Sequence, residues 1–221
     1  MNKNILLICQ GSQSIQLIRE LFSIGFKPNQ IQVITLNENK NLSFQMFLEF
    51  YQIQKKYASY KSINDVLLSQ FKNTFDLTIS FSNPFIIPEN IINKSKFINF
   101  HPGWLPAYRG SLSTVQSLIN VEKFVGGSWH YLTKDVDKGN IISRFRILIN
   151  ENDTAFSLNH KIFSKGILLL RKVLLNVENG YVGIKQNPKK GKFYYNKFPS
   201  LEKISDKKLL HKINYFPPNF K

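Results

Sequence analysis

Three side chains of complementary chemistry stand near one another in this sequence. Asn99 and His101 lie in Asn99-Phe100-His101-Pro102-Gly103-Trp104-Leu105-Pro106-Ala107-Tyr108-Arg109-Gly110, and Asp137 lies in His130-Tyr131-Leu132-Thr133-Lys134-Asp135-Val136-Asp137-Lys138-Gly139. An amide that donates, an imidazole that titrates near neutrality and a carboxylate that orients or accepts a proton are the parts of acyl or proton transfer. His101 precedes a proline and is therefore held extended or in a turn. Asn99, two residues earlier in an extended run, projects to the same side. His130 sits in a strand beside Trp129, a core residue by pattern, and reads as structural more readily than as chemical. His160 and His211 lie on helical segments and read as exposed. No H-E-x-x-H or paired-histidine spacing occurs, so no metal is expected.

The elements that must position these residues alternate. Ile5 to Cys9 is a short apolar strand, Gln10-Gly11-Ser12-Gln13-Ser14 a turn, and Ile15 to Phe22 a helix closed by Gly25 and Pro28. Ile31 to Thr35 is β-branched and extended, which completes a βαβ unit. A helix, a short strand near Ala58-Ser59-Tyr60 and a second helix from Ile63 follow. Asp76 to Phe81 and Phe97 to Phe100 read as strands, so the chemistry begins at the end of a buried strand, where open α/β sheets collect ligands. Ser111 to Asn120 reads as a helix. Gly127 to Leu132 and Ile141 to Ile149 read as strands around the loop that carries Asp135 and Asp137. One long helix runs from Asp153 to just before Gly180, with Phe163, Ile167, Leu168, Leu170 and Leu174 as its apolar stripe. The Gly11-Ser12-Gln13-Ser14 turn is neither G-x-G-x-x-G nor a Walker loop and reads as a plain βα turn.

A chain of 221 residues with 43% hydrophobic and 20% charged residues suits one domain with a small appendage. The single cysteine, Cys9, excludes an internal disulfide framework and fits a reducing compartment. Only five apolar residues precede Gln10, too few for a signal-peptide core or a membrane span, so a cytoplasmic protein is expected. The net charge of +16 is spread among scattered lysines, with no basic helix or aromatic-basic RNA signature. It reads first as a solvated, mildly basic surface, with attraction of a polyphosphate substrate as the main functional alternative and no nucleic-acid or membrane partner expected.

Asn99-x-His101, Pro102-x-x-Leu105-Pro106-x-x-Arg109-Gly110, Gly127-x-x-His130 and Asp137-x-Gly139-x-Ile141-Ile142 together resemble the formyltransferase family that uses 10-formyltetrahydrofolate. The resemblance implies an α/β, Rossmann-like domain with a mostly parallel central sheet flanked by helices, over residues 1–185. A short C-terminal extension, 186–221, would hold an extended or hairpin segment, a short helix through Leu209 and Leu210, and a dimer contact. It implies Asn99, His101 and Asp137 as the catalytic trio, Asp137 being preferred to Asp135 because it precedes Lys138-Gly139. The formyl donor would lie against Phe81, Asn83, Phe85 and Ile86 on one side and Lys134, Asp135 and Val136 on the other.

Among the family's branches, those acting on initiator methionyl-tRNA carry a C-terminal RNA-binding barrel, for which the 35 residues after Gln186 are too few. The glycinamide ribonucleotide branch has Pro-Gly where this chain has Arg109-Gly110. Lys192-Phe193-Tyr194-Tyr195-x-x-x-Pro199 and Ile213-Asn214-Tyr215-Phe216-Pro217-Pro218 look like the tail of sugar N-formyltransferases. That branch implies a homodimer acting on a nucleotide-linked amino sugar, of the type dTDP-4-amino-4,6-dideoxyglucose, for O-antigen or other lipopolysaccharide synthesis. Trp104, Tyr108, Arg109, Gly110, Tyr194 and Tyr195 are the expected substrate contacts. Glycinamide ribonucleotide formylation and a non-catalytic folate- or nucleotide-binding module are the alternatives.

Overall fold

The computed structural model describes residues 3–36, 41–71, 75–83, 85–194 and 207–214. Its first strand shows why the sheet is covered on both sides. In β1 (Ile5–Cys9) every residue is buried: Ile5, Leu7 and Cys9 enter one apolar cluster, while Leu6 and Ile8 enter another. An uninterrupted apolar run is what a parallel strand between two helical layers requires. The elements that follow are α1 (Ser12–Ile24), β2 (Ile31–Leu36), α2 (Leu42–Phe50), β3 (Gln54–Ala58), α3 (Ile63–Gln70), β4 (Leu77–Phe81), α4 (Glu89–Ile92) and β5 (Phe97–His101). After these come β6 (Tyr108–Gly110), α5 (Ser113–Ile119), β7 (Phe124–Tyr131), β8 (Ile141–Leu148), α6 (Ala155–Leu168), α7 (Leu170–Glu178), β9 (Lys192–Tyr194) and α8 (Lys207–Asn214).

Seven strands form one sheet in the order β3-β2-β1-β4-β5-β7-β8. The first five are mutually parallel, and β7 runs antiparallel to both β5 and β8. This is the expected mostly parallel α/β sheet. On β5, Ile98 and Phe100 point into the larger cluster, and Phe100 packs against Phe81, Trp129, Phe145 and Phe163. Burying a side chain of that size contributes about 2–3 kcal/mol. Alternation then sends Asn99 and His101 to the opposite face, at the strand's carboxyl end.

Three details differ from the sequence reading. The edge strand near Ala58 is Gln54–Ala58 rather than a segment centred on Ser59, because its exposed Gln54-Lys55-Lys56 run carries no apolar alternation to mark it. The long C-terminal helix is two helices, interrupted at Leu169. There the Trp129 indole donates to the Gly166 carbonyl at 2.9 Å, drawing on an acceptor of the helical ladder one turn before the break. The extended segment after Gln186 is β9, which pairs in parallel with β6 rather than with a hairpin partner among the described residues. α8 places Ile213 in the larger core cluster.

Candidate active site

The cross-strand register of β5 and β7 sets Asn99 opposite His130 and His101 opposite Ser128. Residues directly opposite share a face, so Asn99 and His130 meet, with Asn99 Nδ2 3.0 Å from His130 Nε2. His130 Nδ1 lies 2.8 Å from the Tyr131 carbonyl oxygen, which only accepts. Nδ1 therefore carries the proton in that bond, and Nε2 receives an N–H from Asn99. This fixes which way the Asn99 amide faces.

His101 is buried and meets polar groups at both nitrogens. Nε2 is 2.6 Å from the Tyr108 carbonyl oxygen and 3.2 Å from Ser113 Oγ, while Nδ1 is 3.4 Å from Asp137 Oδ2. Gly103 lets the chain turn this tightly around the ring: a Cβ there would stand 2.3 Å from His101 Nε2. The loop from β7 to β8 returns Asp137 between the two histidines, with Oδ1 3.4 Å from His130 Nε2. The Gly110 N–H donates to Asp137 Oδ2 at 2.8 Å. Gly139 closes the loop against β7, where a Cβ would collide with the Tyr131 carbonyl at 1.7 Å.

Burial lowers the His101 imidazole below its ordinary range, and Asp137 and the Tyr108 carbonyl only partly offset this. Burial raises the Asp137 carboxyl, but His101, His130 and the Gly110 N–H outweigh it and hold the group well below the usual carboxylate range. The centre therefore combines a neutral base with an ionised acid residue at neutral pH. A proton taken up by His101 meets an acceptor at each ring nitrogen.

A cavity of about 580 Å³ opens onto this centre, within the range of small-molecule sites. Asn99, His101 and Asp137 line its floor, and Asn83, Phe85, Ile86, Lys134 and Val136 line the outer wall. Gly110 and Tyr194 also line it. Other expected residues lie elsewhere. Phe81 is fully buried in the aromatic core, and Asp135 is 55% exposed and pairs with Lys138 at 3.3 Å. Trp104 lies between the guanidinium groups of Arg144 and Arg146, 4.1 and 4.2 Å from its ring, away from the cavity lining. Tyr108 donates through its hydroxyl to Glu122 at 2.6 Å and stacks on Tyr194. Arg109 is buried against Gln186. Tyr195 lies outside the described residues. Sequence reasoning missed Ser113 and Gln186, which carry no motif of their own, and read His130 as structural without naming Asn99 as the group it holds. Among the described residues no group of His, Cys, Asp or Glu is arranged to hold a metal ion, and no helix is long and apolar enough to cross a membrane.

The formyl transferase family profile matches residues 10–174, which contain the whole centre. GDP-perosamine N-formyltransferase of Brucella melitensis is 32% identical over 190 residues, covering 84% of this chain and 72% of that protein. An N-formyltransferase from Helicobacter canadensis, solved with folinic acid and dTDP-3-aminofucose, matches with a TM-score of 0.77 over 95% of this chain and 78% of that one, at 20% identity. A sugar N-formyltransferase from a Shewanella species matches with a TM-score of 0.76 over 98% of this chain and 91% of that one, at 22% identity. The two structural likenesses speak for the fold. The profile and the Brucella relative, which span most of the chain, place it by sequence: it belongs to the formyl transferase family and is an N-formyltransferase.

Proposed function

We propose that the enzyme moves a formyl group from 10-formyltetrahydrofolate to the amine of a nucleoside-diphosphate-linked deoxyamino sugar, giving an N-formyl sugar. The observation that carries this reading is the cavity whose floor is the Asn99–His101–Asp137 centre and whose outer wall is a partly exposed apolar and amide surface. That wall suits a flat heteroaromatic ring: Asn83 closes a local turn by accepting from the Phe85 N–H at 2.9 Å, with Phe85 and Ile86 beside it and Val136 across. The folate supplies an activated formyl carbon. His101, held neutral by burial, takes the proton from the sugar amine as its nitrogen bonds to that carbon. The Asn99 N–H not given to His130 donates to the oxygen on which charge develops, an interaction that can contribute about 3 kcal/mol to the transition state. Asp137 stays ionised and holds the resulting imidazolium, which then returns the proton to the departing nitrogen.

The finer proposal for the acceptor is dTDP-4-amino-4,6-dideoxyglucose. The Brucella relative is named for a GDP-linked sugar and the Helicobacter protein was solved with a dTDP-linked one, so the base is the variable to test. Purified protein, 10-formyltetrahydrofolate and either dTDP- or GDP-linked 4-amino sugar are incubated and the products weighed. Gain of one formyl group on a nucleotide sugar is expected. Formylation of glycinamide ribonucleotide alone would overturn the sugar reading, and donor binding without transfer to any amine would favour a binding module. A homodimer built through the C-terminal segment is proposed with it, and light scattering at the mass of a monomer would contradict that part.

A further inference from the structure

Asp137 adopts φ 55°, the left-handed region that a residue with a Cβ rarely occupies. Its carboxylate accepts from the Gly110 N–H and stands 3.4 Å from a nitrogen of each histidine, but these contacts do not hold its own peptide. Gln186 does. Gln186 Nε2 donates to the carbonyl oxygens of Asp137 at 2.8 Å and Gly139 at 2.7 Å, on either side of Lys138. Gln186 Oε1 accepts from Arg109 Nε at 3.2 Å and Nη2 at 3.0 Å. Carbonyls only accept and a guanidinium only donates, so the two sets of partners fix the carboxamide in one orientation.

Both residues are buried, and neither lines the cavity. Arg109 is itself confined, because Gly191 packs so closely that a Cβ there would lie 2.4 Å from Nη1. For pairing with Arg109 alone, a carboxylate at position 186 would be the stronger partner. Only an amide can accept from the guanidinium and also donate to two carbonyls.

We propose that Gln186, locked by Arg109, is a positioning residue that holds the Asp137 peptide in its left-handed turn and so keeps the carboxylate on His101. The proposal rests on the reading of this centre as the site of formyl transfer. It gives Arg109 a role beneath the site, in place of the substrate contact expected from its position in the sequence.

Gln186→Glu is the test, because it keeps the side chain's size and an acceptor for Arg109 but removes both donors. The expected result is a folded protein whose kcat falls about 10–100-fold while KM for donor and acceptor stays within about threefold. In a cycle with Asp137→Asn, the double variant should be no slower than Asp137→Asn alone, since both changes act through one carboxylate. Additive losses, or wild-type kcat in Gln186→Glu, would overturn the proposal. The crystal structure of Gln186→Glu reads the carboxylate's position directly, whatever the turnover: Asp137 Oδ2 should leave His101 by more than about 4 Å, beyond ion-pair reach. An unmoved carboxylate would sink the idea even if the wild-type enzyme formylated some other amine. If Gln186→Glu does not fold, Arg109→Met, which frees the carboxamide without removing its donors, should displace the same carboxylate by a smaller distance. An Asp137 left in place there would equally overturn the proposal.

Discussion

The floor and the outer wall of the cavity are built on opposite terms. On the floor, Asn99, His101, His130 and Asp137 are each tied to protein partners, and three of the four are buried. On the wall, Phe85 is buried and Asn83 is hydrogen-bonded to it, but Ile86 is 76% exposed, Val136 is 39% exposed, and Lys134 reaches an exposed Glu89 at 3.9 Å. Preorganised groups serve a reacting centre, whose charge develops at one place and one moment. An adaptable wall serves binding of a ligand that must enter and leave. Floor substitutions should therefore act on kcat, and wall substitutions on KM.

The steepest loss should come at His101. His101→Asn removes the base and should lower kcat by about 10²–10⁴-fold with little change in KM, as read by steady-state formyl transfer. A KM effect alone would erase the distinction between floor and wall. Next is His130→Ala, which frees the Asn99 amide. It should lower kcat by about tenfold to a hundredfold, the scale of a mispositioned oxyanion donor, and a fold-matched loss in KM instead would move His130 to the binding side.

The third prediction concerns pH. Folding lowers the His101 pKa, so the folded state resists a proton that the unfolded state takes up near pH 6.5. The rate should stay level through about pH 6.5 and fall only at more acid pH, where the base itself is protonated. Stability should decline as pH drops below about 6.5 towards the folded value, since the unfolded chain there binds more protons. In His101→Asn that component of the decline should vanish from denaturant titrations at several pH values. A rate that halves at pH 6.5 would mean that burial does not govern this imidazole. The smallest effect is expected on the wall. Ile86→Ala should raise KM for the donor by about threefold to tenfold, through lost apolar contact, and leave kcat unchanged.

Much of this contrast was legible in the sequence, and for identifiable reasons. The apolar run of β1, the βαβ unit and the period-two placement of Asn99 and His101 follow from local pattern, because a strand buried on both faces leaves a strong composition signal. Asp137 was preferred to Asp135 only through the family resemblance, by its place before Lys138-Gly139, and that place is tight: a Cβ at Gly139 would strike β7. What the sequence hid is non-local. Ser113 and Gln186 reach the centre across 12 and 49 residues, through hydrogen bonds to His101 and Asp137. Arg109 was readable as a conspicuous charge near the site, but it is buried against Gln186, 77 residues on, and against Gly191, which no pattern near position 109 announces.

The most direct test uses the loop's own internal control. Asp137 and Asp135 are two residues apart, yet their side chains are 9% and 55% exposed. Turnover of Asp137→Asn and Asp135→Asn is measured side by side at saturating donor and acceptor. Asp137→Asn should lose about 10²–10⁴-fold in kcat while Asp135→Asn stays within about twofold of wild type. Equal losses in the two variants, or full turnover in Asp137→Asn, would contradict that role for Asp137.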